Sequence, residues 1–396
     1  MSQAIISRRG GGSGYATITF NGVSALKRTG AAALDQPRYG LAATTVGDYA
    51  LFAGGYVNTA YSTVDAYDYN LAKIYVSRLS QVRADLSATT VGNYALFGGG
   101  RTRSETTDSF HSTVDAYNTS LARTTPTVLS EGRNNLAATT VGNYALFGGG
   151  YNNSYLPTVD AYNTSLTRST PTALSGGKSY LAATTVGDYA LFGGGYNGDN
   201  RLSAVDAYNT SLTRSTPTAL REARVSLAAA TVGNYALFGG GAGGSVYSSV
   251  VDAYNTSLTR STPTALSGAR GNLAATTVGN YALFGGGYTG ENKSTVDAYN
   301  TSLTRSTPTA LSGGRRGLAA TTVGDYALFG GGLGPIGSME SSTVDAYYLN
   351  NKVQVYPGTK YKLGSMSSES TSSTMQEIET TAPITGYIKI KDATIN

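Results

Sequence analysis

The sequence predicts an all-β protein folded as a seven-bladed β-propeller. Seven near-copies of one unit fill residues 41 to about 356, at spacings of 45, 50, 45, 46, 46 and 45 residues. Each copy contains four short apolar or Thr-rich runs separated by tight turns, and none shows a helical period. Repeats of this length indicate a solenoid or a propeller, and propellers commonly have about four to eight blades. The copies begin at Leu41, Leu86, Leu136, Leu181, Leu227, Leu273 and Leu318.

The third copy illustrates the four predicted strands. A Thr-rich run predicts the first strand over 136–141, and an aromatic and aliphatic run predicts the second over 144–148. Alternation of Val159 and Ala161 with polar neighbours predicts the third over 158–162, and the fourth is expected over 166–170. The intervening Asn-Thr-Ser triplet is interpreted as a turn rather than a glycosylation site.

Two recurring features have structural interpretations. An Asp recurs in every third strand, and in the third copy Asp160 is expected to face Arg168 across the sheet, contributing roughly 0.2–1 kcal/mol. Seven equivalent carboxylates favour a structural role over catalysis. The second and third glycines of each triplet, such as Gly54 and Gly55, are predicted to have positive φ or a close backbone neighbour. The recurring Asp residues are Asp65, Asp115, Asp160, Asp206, Asp252, Asp297 and Asp345.

The order of elements resembles that of kelch repeats. An Arg precedes a small-residue strand, a strand ending in Gly-Gly follows, and a Val-x-x-Tyr strand comes next, as at Arg270, 273–278, 281–287 and 296–299. This resemblance implies a kelch-like propeller, here with short N- and C-terminal extensions. The outer-strand Trp typical of kelch units is absent, since the chain has no Trp. Polar pairs are therefore expected at the position occupied by Arg168, Arg214, Arg260 and Arg305.

Three regions are predicted: an N-terminal extension over 1–25, the propeller over 26–356, and a Ser/Thr-rich linker with a short β segment over 357–396. Two segments compete to close the ring. Residues 26–41 align without gaps on 258–273, so the N-terminus supplies an additional fourth strand. Residues 352–356 follow Tyr347 at the normal spacing and compete for that place. We favour the N-terminal strand.

Composition excludes several functional classes. The chain has no cysteine, which excludes disulfides, cysteine zinc sites and a thiol nucleophile. A scattered net charge of +5 does not predict nucleic-acid binding. No apolar run approaches the ~18 residues of a membrane-spanning helix, and the first residues do not resemble a signal peptide. We expect no membrane insertion, no secretion by the standard route, no metal and no cofactor.

Variation among the copies is confined to one predicted face. The second-to-third loops and the blade connections, which share a face in an antiparallel blade, hold nearly all the differences. Loops tolerate sequence change in general, but that tolerance does not explain why the variation is restricted to the loops of one face. The loops are rich in Tyr, Asn, Ser, Gly and Arg, as antibody paratopes are. The predicted ligand-binding residues are Tyr39, Tyr56, Tyr61, Arg101, Arg103, Phe110, His111, Tyr151, Tyr155, Tyr180, Tyr196, Arg201, Tyr247, Tyr288, Arg133, Arg224, Arg270 and Arg316.

Catalysis is not predicted, and no catalytic residue is assigned. His111 is the only histidine, and the copper site of kelch-type oxidases needs two His and a Cys-linked Tyr. One alternative is a glycan hydrolase that uses loop carboxylates. A second alternative is an intracellular kelch-type scaffold for protein interactions. The loop carboxylates considered are Glu105, Asp108, Asp199 and Glu291.

The flanking segments carry a second resemblance. Near-identical tandem blades, SRRGGGSGYATITF over 7–20 and a short terminal strand near 387–390 are similar to tail-associated proteins of phages of low-GC Gram-positive bacteria. This resemblance implies a virion-tip or fibre module that binds a host-surface glycan or protein without chemical turnover. It also implies attachment to other tail proteins through the termini, and homo-oligomers that gain avidity. Without the phage context, a cytoplasmic location is expected.

Overall fold

The computed structural model describes the backbone of residues 15–18, 25–103, 107–244, 246–334, 340–355, 360–362, 370–371, 376–380 and 388–391, and the side chains of residues 26–349 within these ranges. The chain divides into two compact units, one over Arg28–Tyr347 and the other formed by Met1–Lys27 with Tyr348–Asn396. Throughout the described residues the regular structure consists of β-strands, and no helix is present that is long and apolar enough to cross a membrane.

The larger unit is a seven-bladed β-propeller, as predicted. Seven antiparallel sheets carry four blade strands each, and the first strands of neighbouring blades contact one another around a closed ring. In blade order, with strands from first to fourth, the sheets are Ala42–Val46, Tyr49–Ala53, Val64–Tyr67, Lys73–Ile74; Ser87–Val91, Tyr94–Gly98, Val114–Asn118, Arg123–Thr124; Ala137–Val141, Tyr144–Gly148, Val159–Asn163, Arg168–Ser169; Ala182–Val186, Tyr189–Gly193, Val205–Asn209, Arg214–Ser215; Ala228–Val232, Tyr235–Gly239, Val251–Asn255, Arg260–Ser261; Ala274–Val278, Tyr281–Gly285, Val296–Asn300, Arg305–Ser306; and Ala319–Val323, Tyr326–Gly330, Val344–Val355, Ala25–Ala31.

The fourth strands of blades 1 to 6 are shorter than the strand predicted in the third copy because the turn before them is longer. In blade 3 the fourth strand is Arg168–Ser169, whereas the sequence predicted 166–170. The Oδ1 atom of Asn163 accepts hydrogen bonds from the amides of Ser165 and Thr167 at 3.0 and 2.9 Å. Leu166 has a φ of 61°, a left-handed conformation that interrupts extended backbone. The interpretation of Asn-Thr-Ser as a turn is confirmed.

Apolar side chains fill the spaces between blades. Between blades 3 and 4, for example, Leu146 and Val159 of one blade pack in the same cluster as Phe192 and Tyr208 of the next. The second strand is buried on both of its faces because it lies between two neighbouring blades. Phe147 also packs edge-to-face on Tyr162 of its own blade, with ring centroids 6.0 Å apart. Each blade therefore depends on its neighbours for its core, as in other repeat proteins.

A buried carboxylate in each third strand joins three segments. In blade 3, Oδ2 of Asp160 accepts a hydrogen bond from Arg133 in the preceding connection at 2.7 Å, and Oδ1 accepts one from Arg168 in the fourth strand at 2.7 Å. Both the amide and the hydroxyl of Ser130 also donate to this carboxylate. The predicted pair of Asp160 and Arg168 is confirmed, although the register places Arg168 opposite Tyr162, so that the ion pair runs diagonally.

The same cluster of one buried carboxylate and two cations, which we call the carboxylate node, recurs in all seven blades. In blade 4 burial acts to raise the pKa of Asp206, but Lys178 and Arg214 outweigh it and hold that pKa below its usual value. The connection cations that pair with the carboxylates are Arg38, Arg83, Arg133, Lys178, Arg224, Arg270 and Arg315. The outer-strand cations are Lys73, Arg123, Arg168, Arg214, Arg260, Arg305 and Arg28.

The N-terminal strand occupies the fourth position of blade 7. Ala25–Ala31 pairs with Val344–Val355, and Arg28 donates to Asp345 at 2.7 Å as the outer-strand cation does in the other blades. The amide of Leu34 then donates to the carbonyl of Ser342 at 2.8 Å, and the Leu34 side chain is buried between blades 7 and 1. The alternative closing strand, residues 352–356, does not occupy the fourth position, because residues 352–355 continue the third strand.

The second unit contains strands from both ends of the chain. Tyr15–Ile18 pairs antiparallel with Ile388–Lys391, which also pairs with Lys360–Lys362, and Ser370–Thr371 completes this sheet. Gln376–Thr380 pairs antiparallel with residues 351–355. The predicted extension over 1–25 and the predicted linker and β segment over 357–396 lie mostly outside the described residues.

Removing the charge from one node is expected to destabilise the propeller strongly. In the Asp160→Asn variant, Arg133 remains buried without a carboxylate, and breaking a buried ion pair costs about 3–5 kcal/mol. The midpoint of guanidinium chloride unfolding should fall accordingly. An unchanged midpoint would show that the node contributes nothing to stability.

The reverse change can be made in blade 4. Among the described residues the side-chain amino group of Lys178 donates only to Asp206, whereas the Arg133 guanidinium also donates to the carbonyl of Phe147 at 3.2 Å. The Lys178→Arg variant gains the equivalent bond to Phe192, and the unfolding midpoint should rise by an amount that corresponds to about 1 kcal/mol. A lower midpoint would contradict this description of the connection cation.

Ring closure by the N-terminal strand is tested by a matched pair of variants. Arg28 and Arg168 make equivalent bonds to buried carboxylates in blades 7 and 3. Arg28→Ala and Arg168→Ala should therefore each lower the free energy of unfolding by about 1.5 kcal/mol. If Arg28→Ala left the unfolding midpoint unchanged while Arg168→Ala lowered it, the N-terminal strand would not close the ring in solution.

Candidate functional site

The two faces of the propeller carry different kinds of loop. On one face, which we call the turn face, first-to-second turns contact third-to-fourth turns of the next blade: a Cβ on Gly47 would lie 3.2 Å from Thr119 Cγ2. On the other face, which we call the loop face, second-to-third loops bridge to the blade connections, for example Tyr56 to Tyr39 and Tyr151 to Asn134. Nearly all of the variation among the copies that the sequence shows therefore lies on the loop face.

The paired glycines explain how loop and connection approach each other. Gly54 has a φ of 68° and Gly55 a φ of 107°, which confirms the predicted positive values. A Cβ on Gly54 would lie 2.5 Å from the carbonyl oxygen of Arg83 in the next connection. Both the backbone conformation and the close contact therefore require glycine.

A closed ring of backbone hydrogen bonds surrounds the axis on the loop face. The residue before each leading Leu donates its N–H to the carbonyl of the equivalent residue in the preceding blade, at 2.8 to 3.1 Å. The last link joins Gly40 to Gly317, so the ring has no free end. Every member has a φ between 50° and 64°. The members of this axial ring are Gly40, Asp85, Asn135, Tyr180, Ser226, Asn272 and Gly317.

Tyr180 is the least favourable member of the axial ring. Gly, Asn and Asp tolerate the left-handed conformation and occupy five of the seven positions, whereas a bulky residue with positive φ is an outlier. Six leucines of the turn face share this conformation, but they recur from copy to copy, and several pack against the core. Tyr180 occurs in one blade only and leaves 44% of its surface exposed. Strained residues of this kind cluster at functional sites.

Tyr180 lies at the edge of a small cavity beside the axis, formed by blades 1 to 4. The cavity has a volume of about 90 Å³. Five predicted ligand-binding residues meet here, namely Tyr39, Tyr56, Arg101, Arg103 and Tyr180. We call this cavity the mouth site; it is lined by Tyr39, Tyr56, Ala84, Asp85, Arg101, Arg103, Asn135 and Tyr180.

An ion-pair network fixes the polar wall of the mouth site. Arg101 donates to Asp85 at 2.9 Å through Nε and to Asp108 at 2.5 Å through Nη1. Arg103 contacts Asp108 more loosely, at 3.5 Å, and half of its side chain is exposed. Burial raises the pKa of Asp85, and Arg101 partly opposes that rise. Burial also raises the pKa values of Tyr39 and Tyr180, so both phenols are neutral hydrogen-bond donors near pH 7.

Predicted aromatic residues form a continuous track beside the mouth site. Phe110 of blade 2 contacts Tyr151 of blade 3 with centroids 5.9 Å apart, Tyr151 contacts Tyr155 at 5.0 Å, and Tyr155 contacts Tyr196 of blade 4 at 5.5 Å. All four rings are partly exposed. These two edge-to-face contacts and one tilted contact hold the rings in place with little conformational freedom to lose on binding.

A second group lies on blades 5 to 7. Tyr247 contacts Tyr288 edge-to-face at 5.9 Å, and the guanidinium carbon of Arg316 lies 4.1 Å from the centroid of the Tyr288 ring. This cation–π geometry leaves Arg316 on the loop face, as predicted. Tyr61 is half-buried in the first loop, and Arg201 is exposed in the loop of blade 4.

His111 is partly buried within the loop of blade 2. Its Nε2 atom lies 2.7 Å from Thr102 Oγ1, in the loop of blade 2, and the ring is half-buried. Burial lowers its pKa, and the nearby charge of Arg83 lowers it further. The imidazole is therefore neutral near pH 7 and is already hydrogen-bonded within its own loop.

Three predicted ligand-binding residues do not lie on the accessible surface. Arg133, Arg224 and Arg270 are at most 1% exposed, and each forms an ion pair with the Asp of its blade. The prediction that these three residues bind a ligand on the loop face is wrong, because the connection turns their side chains inward between the blades. Conversely, Asp85 and Asn135 line the mouth site but are not among the predicted residues, although both stand in the variable connections, as Tyr180 does.

The loop carboxylates considered for hydrolysis do not form one described cluster. Asp108 is ion-paired in blade 2, Asp199 is exposed in blade 4, and Glu291 is exposed in blade 6, while Glu105 lies outside the described residues. Where side chains are described, no group of three or more His, Cys, Asp or Glu could hold a metal ion. No protein-family model matches the chain, and no curated protein matches it.

The backbone strain at Tyr180 can be measured directly. Asn occupies the equivalent position in two other blades, so Tyr180→Asn should relieve strain and raise the free energy of unfolding by about 1 kcal/mol. Ala does not tolerate the left-handed conformation as Asn does, so Tyr180→Ala should raise the free energy of unfolding by less. If Tyr180→Asn were no more stable than Tyr180→Ala, the residue would not be strained.

Proposed function

We propose that the chain is a non-enzymatic recognition propeller that binds a host-surface receptor through its loop face. The observation that carries this proposal is Tyr180, a strained and exposed aromatic residue at the mouth site. A residue that costs stability and leaves nearly half of an aromatic side chain exposed is best explained by a contact made with another molecule. Its neighbours in the mouth site and the aromatic track are the residue types that dominate binding energies.

The surroundings of the loop face support the same function. Its variable residues stand on a scaffold whose buried nodes and axial ring are repeated in every blade, which holds the loops rigidly. Rigid presentation of Tyr, Asn and Arg lowers the entropy lost on binding. The uniform turn face, where Thr and Gly contacts repeat from blade to blade, offers no comparable diversity.

The proposed biological setting is the tail of a phage of low-GC Gram-positive bacteria. The kelch-like order of elements and the flanking segments resemble such tail-associated proteins, which favours a module at the virion tip. The termini would then attach the propeller to other tail proteins, and homo-oligomers would raise avidity. Turnover is not part of this proposal, because Asp85 and Asp108 are both ion-paired to Arg101 rather than free for acid–base chemistry.

The proposal is tested by binding of the purified protein to a panel of intact low-GC Gram-positive cells, measured by co-sedimentation. Tyr180→Asn should weaken binding even though it stabilises the fold, and Tyr151→Ala with Tyr196→Ala should weaken it by about tenfold or more. Ser165→Ala and Ser302→Ala on the turn face are the matched controls and should leave binding unchanged.

Two outcomes would contradict the proposal. Loss of binding in the turn-face variants, with the Tyr variants unaffected, would place recognition on the other face. Release of soluble saccharides from the cells by the purified wild-type protein would show a hydrolase instead.

A further inference from the structure

The mouth site has the size of one residue rather than of an extended ligand. Its volume of about 90 Å³ is well below the ~300–1,000 Å³ typical of drug-sized pockets. Three members of the axial ring, Asp85, Asn135 and Tyr180, form part of its lining. A ligand therefore enters this cavity with one terminal ring or one side chain, and the rest of the ligand lies outside it.

The charges of the mouth site are balanced once the adjacent Asp108, which is paired to Arg101, is included. Two carboxylates, Asp85 and Asp108, face two guanidinium groups, Arg101 and Arg103. Arg101 is paired to both carboxylates, whereas the ion pair of Arg103 within the described residues is long, at 3.5 Å, and half of its side chain is exposed. The network therefore offers fixed donors and acceptors with no net charge, which favours a neutral ligand with several hydroxyl groups over an anion or a cation.

An aromatic surface adjoins these polar groups. Tyr180 is exposed at the edge of the cavity, and Tyr39 is fixed by edge-to-face contact with Tyr56 at 5.7 Å. The apolar C–H face of a pyranose packs against an aromatic ring while its hydroxyls bond to planar side chains. A carboxylate accepts from hydroxyls and a guanidinium donates to them, so both kinds of partner are present.

The backbone of the mouth gives no support to peptide binding. Tyr39 and Tyr56 exchange both N–H to carbonyl bonds, and so do Asn134 with Tyr151 and Ser179 with Tyr196. The axial ring uses a further N–H and carbonyl from each blade. The described backbone around the cavity thus has its edges already paired, and strand addition, the commonest main-chain route to peptide recognition, is blocked there.

We propose that the mouth site binds a single terminal neutral pyranose, stacked on Tyr180 and hydrogen-bonded by Arg103 and Asp85, with the aromatic track contacting the remainder of the glycan. This inference rests on the proposed receptor-binding function and specifies its ligand class. From Tyr155 the track continues through Tyr151 to Phe110 of blade 2 in one direction and to Tyr196 of blade 4 in the other. It therefore follows the rim outside the cavity.

The experiment is saturation-transfer NMR with a defined panel of methyl glycosides: glucose, galactose and N-acetylglucosamine in both anomeric forms, together with N-acetylneuraminic acid as an anionic probe. At least one neutral glycoside should bind the wild-type protein. Arg103→Gln and Tyr180→Asn should each weaken that binding by about tenfold or more. Ser165→Ala, on the turn face, should leave it unchanged.

Several results would overturn the inference. Binding of neutral glycosides that Arg103→Gln and Tyr180→Asn do not weaken would place the sugar elsewhere, and preference for N-acetylneuraminic acid would contradict a neutral ligand. If no glycoside bound while the protein still sedimented with cells in a Tyr180-dependent manner, the sugar inference would fail and receptor binding would stand. If neither cells nor glycosides bound, both proposals would fail.

Discussion

The buried Asp of each third strand is the interaction on which the propeller depends. A carboxylate without solvent is costly unless several donors compensate it, and Asp160 has two guanidinium groups together with the amide and hydroxyl of Ser130. These donors come from the preceding connection and from the fourth strand. One charge therefore fixes the spacing of three segments and closes each blade onto its neighbour.

This arrangement separates the scaffold from the surface that varies. The connection Arg is buried, but the residues that follow it emerge on the loop face, where they bridge to the second-to-third loop. Their backbone positions are set by the node and by the paired glycines, so their side chains are free to differ. The axial ring works in the same way, because it uses only backbone atoms and admits Gly, Ser or Tyr at one geometry.

Much of the fold could be predicted from the sequence because it is periodic. The number of copies predicted the number of blades, alternation located the strands, and the pair of Asp160 and Arg168 followed from a short turn between adjacent strands. Arg133 was misplaced because it pairs with a carboxylate 27 residues away, across a connection that has no local period. The left-handed conformation of Tyr180 was equally inaccessible, since nothing in Tyr itself favours positive φ.

The central claim is that buried nodes carry the stability while the loop face carries recognition. It is tested by replacing residues 151–157 of blade 3 with the equally long blade 6 loop of residues 288–294, leaving Arg133 and Asp160 in place, and by measuring both the unfolding midpoint and the binding to Gram-positive cells. The account predicts an unfolding midpoint close to that of the wild type and a loss of binding, because the aromatic track is interrupted at Tyr155. A midpoint as low as that of Asp160→Asn, or binding equal to that of the wild type, would contradict it.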